Sequence, residues 1–272
     1  MWTKETRRRY DRRGGRYPSD IRNEEWAVLE PLLPKPSGQG RPRDYSVREI
    51  INGIRYVQKY GIPWDAMPKD LPPSSLYYDY WRMLTDGGHL EQINHLLVMK
   101  DREKAGREAS PTLVIIDAQS VKCDAPQGPR GYDAGKKVRG RKRHLAVDCE
   151  GRVLAVEVTT ADVQDQDGAL PLTERLFRLY PWVKKVVVDG GYKTHFIETV
   201  QTVFHRTVEV IKRSDTAKGF TLLPKRWRVE QAFGVLTLCR RLKIDYESRL
   251  HVSAASILFA SISRLLASVT TI

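Results

Sequence analysis

Three carboxylates far apart in the chain, Asp117, Asp189 and Glu230, are the residues best suited to chemistry. Asp117 follows the apolar run Thr112 to Ile116 (TLVII), and Asp189 follows Lys185 to Val188 (KVVV) and precedes Gly190-Gly191. Acids at the ends of central strands face the crevice in which open α/β sheets bind ligands, and the two glycines allow close approach of backbone or substrate. A single strand-end aspartate can equally cap a turn; two of them form a pattern. Glu230 lies within KRWRVEQAFGVLTLCRRL. Helical spacing there puts Trp227, Glu230 and Gly234 on one stripe and Val229, Phe233 and Leu236 on the next, with Gly234 permitting close helix-sheet contact. The alternative for Glu230 is a surface residue paired with Arg226, one turn earlier. Magnesium takes oxygen ligands and keeps several waters, so two or three carboxylates suffice for a pair of ions. One ion would activate water or a 3′-hydroxyl while the other stabilises the leaving oxygen, an in-line displacement at phosphorus that needs no nucleophilic side chain.

These acids must be positioned by a sheet. Besides the two apolar runs, Arg143 to Asp148 alternates, Val153 to Thr160 is β-branched and Val208 to Ile211 makes a fifth strand. Helical segments are expected at Asp167 to Tyr180 and Pro224 to Leu242, giving a mixed α/β sheet with helices packed on it. Upstream the style is helical. Tyr17 to Leu33 opens with Pro-Ser-Asp, a helix-start signal; Ser46 with Glu49 can cap a helix carrying Val47, Ile50, Ile51, Ile54 and Val57, and Gly61 and Pro63 stop it. A short turn at Trp64 to Met67 and a helix capped by Ser74 or Ser75 follow, ending before Gly87-Gly88. Such short helices suit a helix-turn-helix module and equally a small helical bundle. The polar stretch Asp101 to Ser110 marks a boundary near residue 105.

Of 272 residues, 46 are Lys or Arg against 33 acidic, for a net charge of +13. That excess suits a polyanionic partner, nucleic acid among others. The run RRRYDRRGGR at 7 to 16 has too little apolar content to fold alone and reads as a basic arm, and PKPSGQGRPR at 34 to 43 as an exposed loop. Cys123, Cys149 and Cys239 are scattered, with no zinc or disulfide spacing, as in a reduced cytoplasmic protein. No secretory signal begins the chain, and Leu250 to Ile272, although apolar, contains His251, Arg264 and many hydroxyls, which suits a packed helix better than a membrane span. Lys136, Lys137, Arg139, Arg141, Lys142 and Arg143 form a basic approach that can track phosphates or remain a solvated loop. His144 either faces the site or is structural, and Asp162, Asp165 and Asp167 suit the start of a helix.

The residues also carry a resemblance. YPSDIRNEEWAVLEPLLP (17 to 34), GRPRDYSVREIINGIRYV (40 to 57), PWDAMPKDLPPSSLYYDYWRMLTDG (63 to 87), IIDAQSVK (115 to 122), GYDAGKKVRGRKRHLAVDCEGRVLAVEVTTADVQDQDGA (131 to 169), VVVDGGY (186 to 192) and KRWRVEQAFGVLTLCRRL (225 to 242) together resemble the Asp-Asp-Glu insertion-sequence transposases, specifically the insertion-sequence-five family. The resemblance implies a ribonuclease-H-like catalytic domain over 107–272 in which Asp117 is the first-strand acid, Asp189 the fourth-strand acid and Glu230 the helix acid, together binding two Mg²⁺ or Mn²⁺ ions. It implies a helical domain over 17–106 that recognises transposon ends, after the arm at 1–16. Double-stranded DNA is the implied partner, as terminal inverted repeats and target, with a homodimer acting on it near the nucleoid; no membrane is involved. Arg226 matches the arginine of the superfamily's Tyr-Arg-Glu-Lys pattern, and Arg240 and Arg241 extend the candidate DNA-binding set. The chain departs from the pattern at Leu223, where tyrosine is expected, and Thr237, where lysine is expected, which leaves the phosphate contacts of relatives at those positions open. Two rival readings are an inactive relic acting as a DNA-binding repressor and a nuclease of the same fold without strand transfer.

Overall fold

The computed structural model describes residue 3 and residues 15–35, 44–211 and 227–271. The arm at 1–16 falls almost entirely outside these, as do most of the loop at 34–43, Leu223 and Arg226.

Among the described residues four helices come first: α1 (Asn23–Leu29), α2 (Val47–Tyr60), α3 (Ser74–Asp86) and α4 (His89–Lys104). α2 follows its signals closely. The Ser46 hydroxyl accepts from the Glu49 N–H at 3.2 Å, satisfying one of the helix's unpaired donors, and the helix ends at Gly61 in the left-handed region, φ 70°. A short turn occupies Trp64–Ala66. α1 starts later than Pro-Ser-Asp suggests, because Tyr17 to Asp20 close a turn of their own and Glu25 accepts from the Arg22 N–H at 3.1 Å. Neither Ser74 nor Ser75 caps α3, whose flanking residue is Pro73. α4 was absent from the sequence pattern. Its end is polar because Asp101 and Arg102 are buried in ion pairs with the β3–β4 turn: Arg102 with Asp148, and Asp101 with Arg152 at 2.5 Å.

Among the described residues six strands form one sheet: β1 (Leu113–Lys122), β2 (Gly131–Asp133), β3 (Val138–Val147), β4 (Val153–Thr160), β5 (Lys185–Asp189) and β6 (Thr207–Ile211). The order is β2-β3-β1-β5-β6, with β4 also paired to β3. β1, β3 and β4 run antiparallel, and β5 and β6 lie parallel to β1. Helix α5 (Asp165–Leu179) precedes β5, α6 (Thr194–Thr202) joins β5 to β6, and α7 (Trp227–Leu236) and α8 (Leu250–Val269) end the chain. This mixed sheet flanked by helices is the ribonuclease-H-like α/β architecture.

Helix α8 is long and apolar enough to cross a membrane, yet it lies between α4 and β4 and buries Ile257, Phe259, Ile262 and Leu266. It also joins the helical region to the sheet: Gln58 of α2 donates to Ser256 at 3.3 Å, and Trp81 of α3 meets Phe259 edge to face at 5.6 Å. One cluster of buried apolar side chains runs from Ile21 to Leu266.

α5 covers the sheet face that carries His144 and Glu157, opposite partners on β3 and β4. Gly168 makes this packing possible, since a β-carbon there would lie 2.2 Å from His144 Nε2. His144 is fully buried and shares a hydrogen bond with the Thr159 hydroxyl at 2.9 Å; it is structural, and burial of the ring pushes its pKa down to about 4. The unfolded chain therefore binds this proton more readily than the folded one, and stability falls as pH drops from about 6.5 toward 4. Unfolding free energies from urea titrations at pH 7 and pH 4.5 are expected to differ by roughly 2 kcal/mol from this residue, and His144→Gln is expected to flatten that part of the profile.

Candidate active site

Asp117 and Asp189 meet through strand register. β1 and β5 are parallel, with Ile115 opposite Val187; Asp117 and Asp189 each follow two residues beyond that pair. Side chains two apart on a strand share a face, so both carboxylates project to the same side from strands about 5 Å apart. Asp189 is the last residue of β5, as expected, and is half-buried. Asp117 lies mid-strand rather than at a strand end, 8 % exposed, because β1 continues past it in pairing with β3 as far as Lys122. Each acid is oriented by a backbone N–H. Asp117 Oδ1 accepts from Ala118 at 2.7 Å and Asp189 Oδ1 from Gly191 at 2.9 Å.

Glu230 lies on α7, which packs on β1 and β3. Val229, Ala232, Phe233 and Leu236 fill its buried face, and Glu230 borders that face at the surface. Gly234 does not serve close helix-sheet contact: it is exposed, and a β-carbon there would touch nothing within 4 Å. The segment after α7 covers the face that carries Asp117. Arg141 and Arg143, which share the alternation of Leu145 opposite Asp117, reach Asp245 at 2.9 Å and the Leu242 carbonyl at 2.7 Å. All three acids thus belong to one side of the sheet, but among the described residues no group of three or more His, Cys, Asp or Glu side chains is placed to hold a metal ion. Asp117 and Asp189 stand on the adjacent strands β1 and β5, and Glu230 stands on the helix that packs against β1 and β3. Two carboxylates on adjacent strands fit a hard cation that draws its remaining oxygens from water and phosphate.

The basic candidates divide by burial. Lys136, Lys137 and Arg139 are exposed on the β2–β3 hairpin, and Arg240 is exposed after α7. Arg141, Lys142 and Arg143 are buried and engaged within the protein, which removes them from any phosphate-tracking surface. Lys142 pairs with Asp165 at 2.8 Å and donates to the Val163 carbonyl at 2.6 Å. Arg241 is likewise buried, paired with Glu247 at 2.8 Å and donating to the Ile62 carbonyl.

The sequence did not disclose a network that fastens the hairpin beside Asp117. The Ser120 hydroxyl donates to Asp133 at 2.5 Å, Lys142 lies 3.7 Å from Asp133, and Lys136 donates to the carbonyl of Ala118, next to Asp117, at 3.2 Å. Asp165, in the first turn of α5, receives both Lys142 and, at 3.8 Å, Lys136. Strand alternation, which puts Ser120 opposite Lys142, was the available signal, but the charges read as a phosphate-tracking approach or a solvated loop.

A family model described as "Transposase DDE domain" matches residues 108–265, and one described as "Putative transposase of IS4/5 family" matches residues 21–94. The chain is 32% identical over 136 residues to the "Putative transposase for insertion sequence element IS402" of Burkholderia cepacia, covering 47% of this chain and 63% of the relative. It is 30% identical over 110 residues to the "Insertion element IS402 uncharacterized 16.2 kDa protein" of the same organism, covering 38% of this chain and 73% of the relative. The chain thus spans less than two thirds of the first relative's length.

Proposed function

The chain belongs to the DDE-domain transposases, and from that premise we propose that it cleaves DNA at insertion-sequence ends and transfers the strands, with Asp117, Asp189 and Glu230 as its acids. The observation that supports this reading is the parallel pairing of β1 with β5, in which Ile115 lies opposite Val187, two residues before Asp117 and Asp189 respectively. Asp117 and Asp189 would hold Mg²⁺ or Mn²⁺, with Glu230 as third acid; bound there, a pair of ions would activate the attacking hydroxyl and stabilise the leaving oxygen. The backbone donors at Ala118 and Gly191 each hold one oxygen of an aspartate. α7 holds Glu230 on the same side of the sheet by burying Val229 and Phe233.

In this reading the exposed Lys136, Lys137, Arg139 and Arg240 hold phosphates, joined by Arg226, which lies outside the described residues. The helices over 17–106 recognise the terminal repeats, the region from 107 onward catalyses, and two chains act together on two ends in the cytoplasm. DNA affinity is then expected to fall steeply with salt, with a slope of about −0.9 in log-log form per phosphate neutralised. The double variant Lys137→Ala, Arg139→Ala is expected to reduce that slope by about two. A flat salt response, or an unchanged slope in the double variant, contradicts the assignment. The function itself is tested by incubating the protein with DNA carrying the flanking ends of its own element and Mg²⁺, then mapping the new 3′ termini. Breaks at the element boundary that vanish in chelator are expected; intact DNA is the contrary result.

A further inference from the structure

The β2–β3 hairpin carries an aromatic ring that neither the fold nor the metal chemistry uses. Tyr132 is 56% exposed and stands directly opposite Arg139, itself exposed. Cross-strand partners lie about 5 Å apart at their β-carbons on a common face, so ring and guanidinium share one face of the hairpin. Neither side chain makes a hydrogen bond, ion pair or ring contact with any other described residue. Lys137 adds an exposed cation at the turn, where its φ of 54° puts a non-glycine residue in the left-handed region, which tightens the hairpin. The feet, in contrast, are fixed. Asp133 accepts from Ser120 and from the Lys136 N–H, and Lys136 reaches the Ala118 carbonyl beside Asp117.

A hairpin with clamped feet and an uncommitted aromatic-cationic surface, on a protein of net charge +13, is matched to a ligand that is planar and anionic together. We infer that Tyr132 and Arg139 form a stacking ledge for an unpaired nucleotide base at the DNA end, with Lys137 on the adjoining phosphate. Bases within a duplex hide their faces, whereas an unpaired base offers one, and stacking on aromatic side chains is independent of sequence. The inference rests on the reading that the protein acts on DNA, and it assigns the hairpin to the strand end rather than to the duplex.

The test uses the full chain in chelator, so that no cleavage intervenes. End duplexes are prepared blunt or with a short single-stranded overhang containing 2-aminopurine, and affinity and fluorescence are measured for wild type, Tyr132→Ala and Tyr132→Trp. Wild type is expected to quench the probe and bind the overhang more tightly than the blunt end. Tyr132→Ala should lose quenching and about tenfold in overhang affinity, with blunt-end affinity and thermal melting unchanged, and Tyr132→Trp should keep both. Wild-type binding without quenching, or equal losses on both ends in Tyr132→Ala, overturns the ledge while leaving the DNA reading intact. Absence of binding to either DNA by wild type overturns both.

Discussion

Replacing Asp117 by asparagine is expected to abolish strand cleavage while leaving DNA binding as tight as before or tighter. The substitution keeps the size of the side chain and its acceptor for the Ala118 N–H, so β1 keeps its place between β3 and β5. What it removes is one of the two negative charges carried by the adjacent strands β1 and β5. Charge stabilisation by a bound cation is worth several kcal/mol, and a loss of that size corresponds to a rate lower by on the order of a thousandfold or more. On a chain of net charge +13, one negative charge fewer cannot weaken attraction to phosphate. Single-turnover cleavage and gel-shift titration on the same end duplex separate the two effects. Asp189→Asn is expected to behave in the same way, and near-normal cleavage by either variant would remove that residue from the site.

The second large effect concerns stability. Asp245 is buried at the junction of three elements: it pairs with Arg141 of β3 at 2.9 Å, accepts from Glu247 N–H at 3.0 Å and from the Ser253 hydroxyl of α8, and its backbone bonds to the end of β1 through Lys122 and Asp124. Arg141 has no exposed surface at all. Asp245→Ala therefore leaves a guanidinium buried without its counter-charge, at a cost of about 3–5 kcal/mol, a large share of a typical domain's stability. Urea unfolding should show a lowered midpoint with unchanged slope. The double variant Arg141→Met, Asp245→Leu is expected to recover much of the loss, since an apolar pair needs no compensation. A single variant within 1 kcal/mol of wild type would contradict this role for the pair.

Strands β4 and β5, α2 and the buried α8 could be read in the sequence because periodicity and burial agree there: Val153 to Thr160 is rich in β-branched residues, and Ser46 and Gly61 punctuate α2. The reading failed where charge is buried. Asp101 and Arg102 look like the start of a loop, but they end α4 because Arg152 and Asp148 neutralise them. Arg141, Lys142 and Arg143 look like phosphate contacts or a solvated loop for the same reason; their counter-charges, Asp245 and Asp165, lie on other elements, and no local pattern reveals a partner so distant. Of the site, the two aspartates were visible as apolar runs that end in an acid. That β1 carries on beyond Asp117 was not, since Gln119, Ser120 and Lys122 are polar residues held in place by β3 rather than by their own propensity. Glu230 is the residue least determined by local pattern, because nothing in a helical stripe says how far its carboxylate stands from acids on a sheet.

Cation binding tests the central claim most directly. Mn²⁺ titrated into the complex of protein and end DNA, followed by calorimetry and by the electron paramagnetic resonance signal of free Mn²⁺, is expected to show saturable uptake by wild type, loss of that uptake in Asp117→Asn, Asp189→Asn, and weakening in Glu230→Gln. Equal uptake by wild type and the double aspartate variant would mean that these carboxylates do not hold the ions, and the catalytic assignment would fall with them.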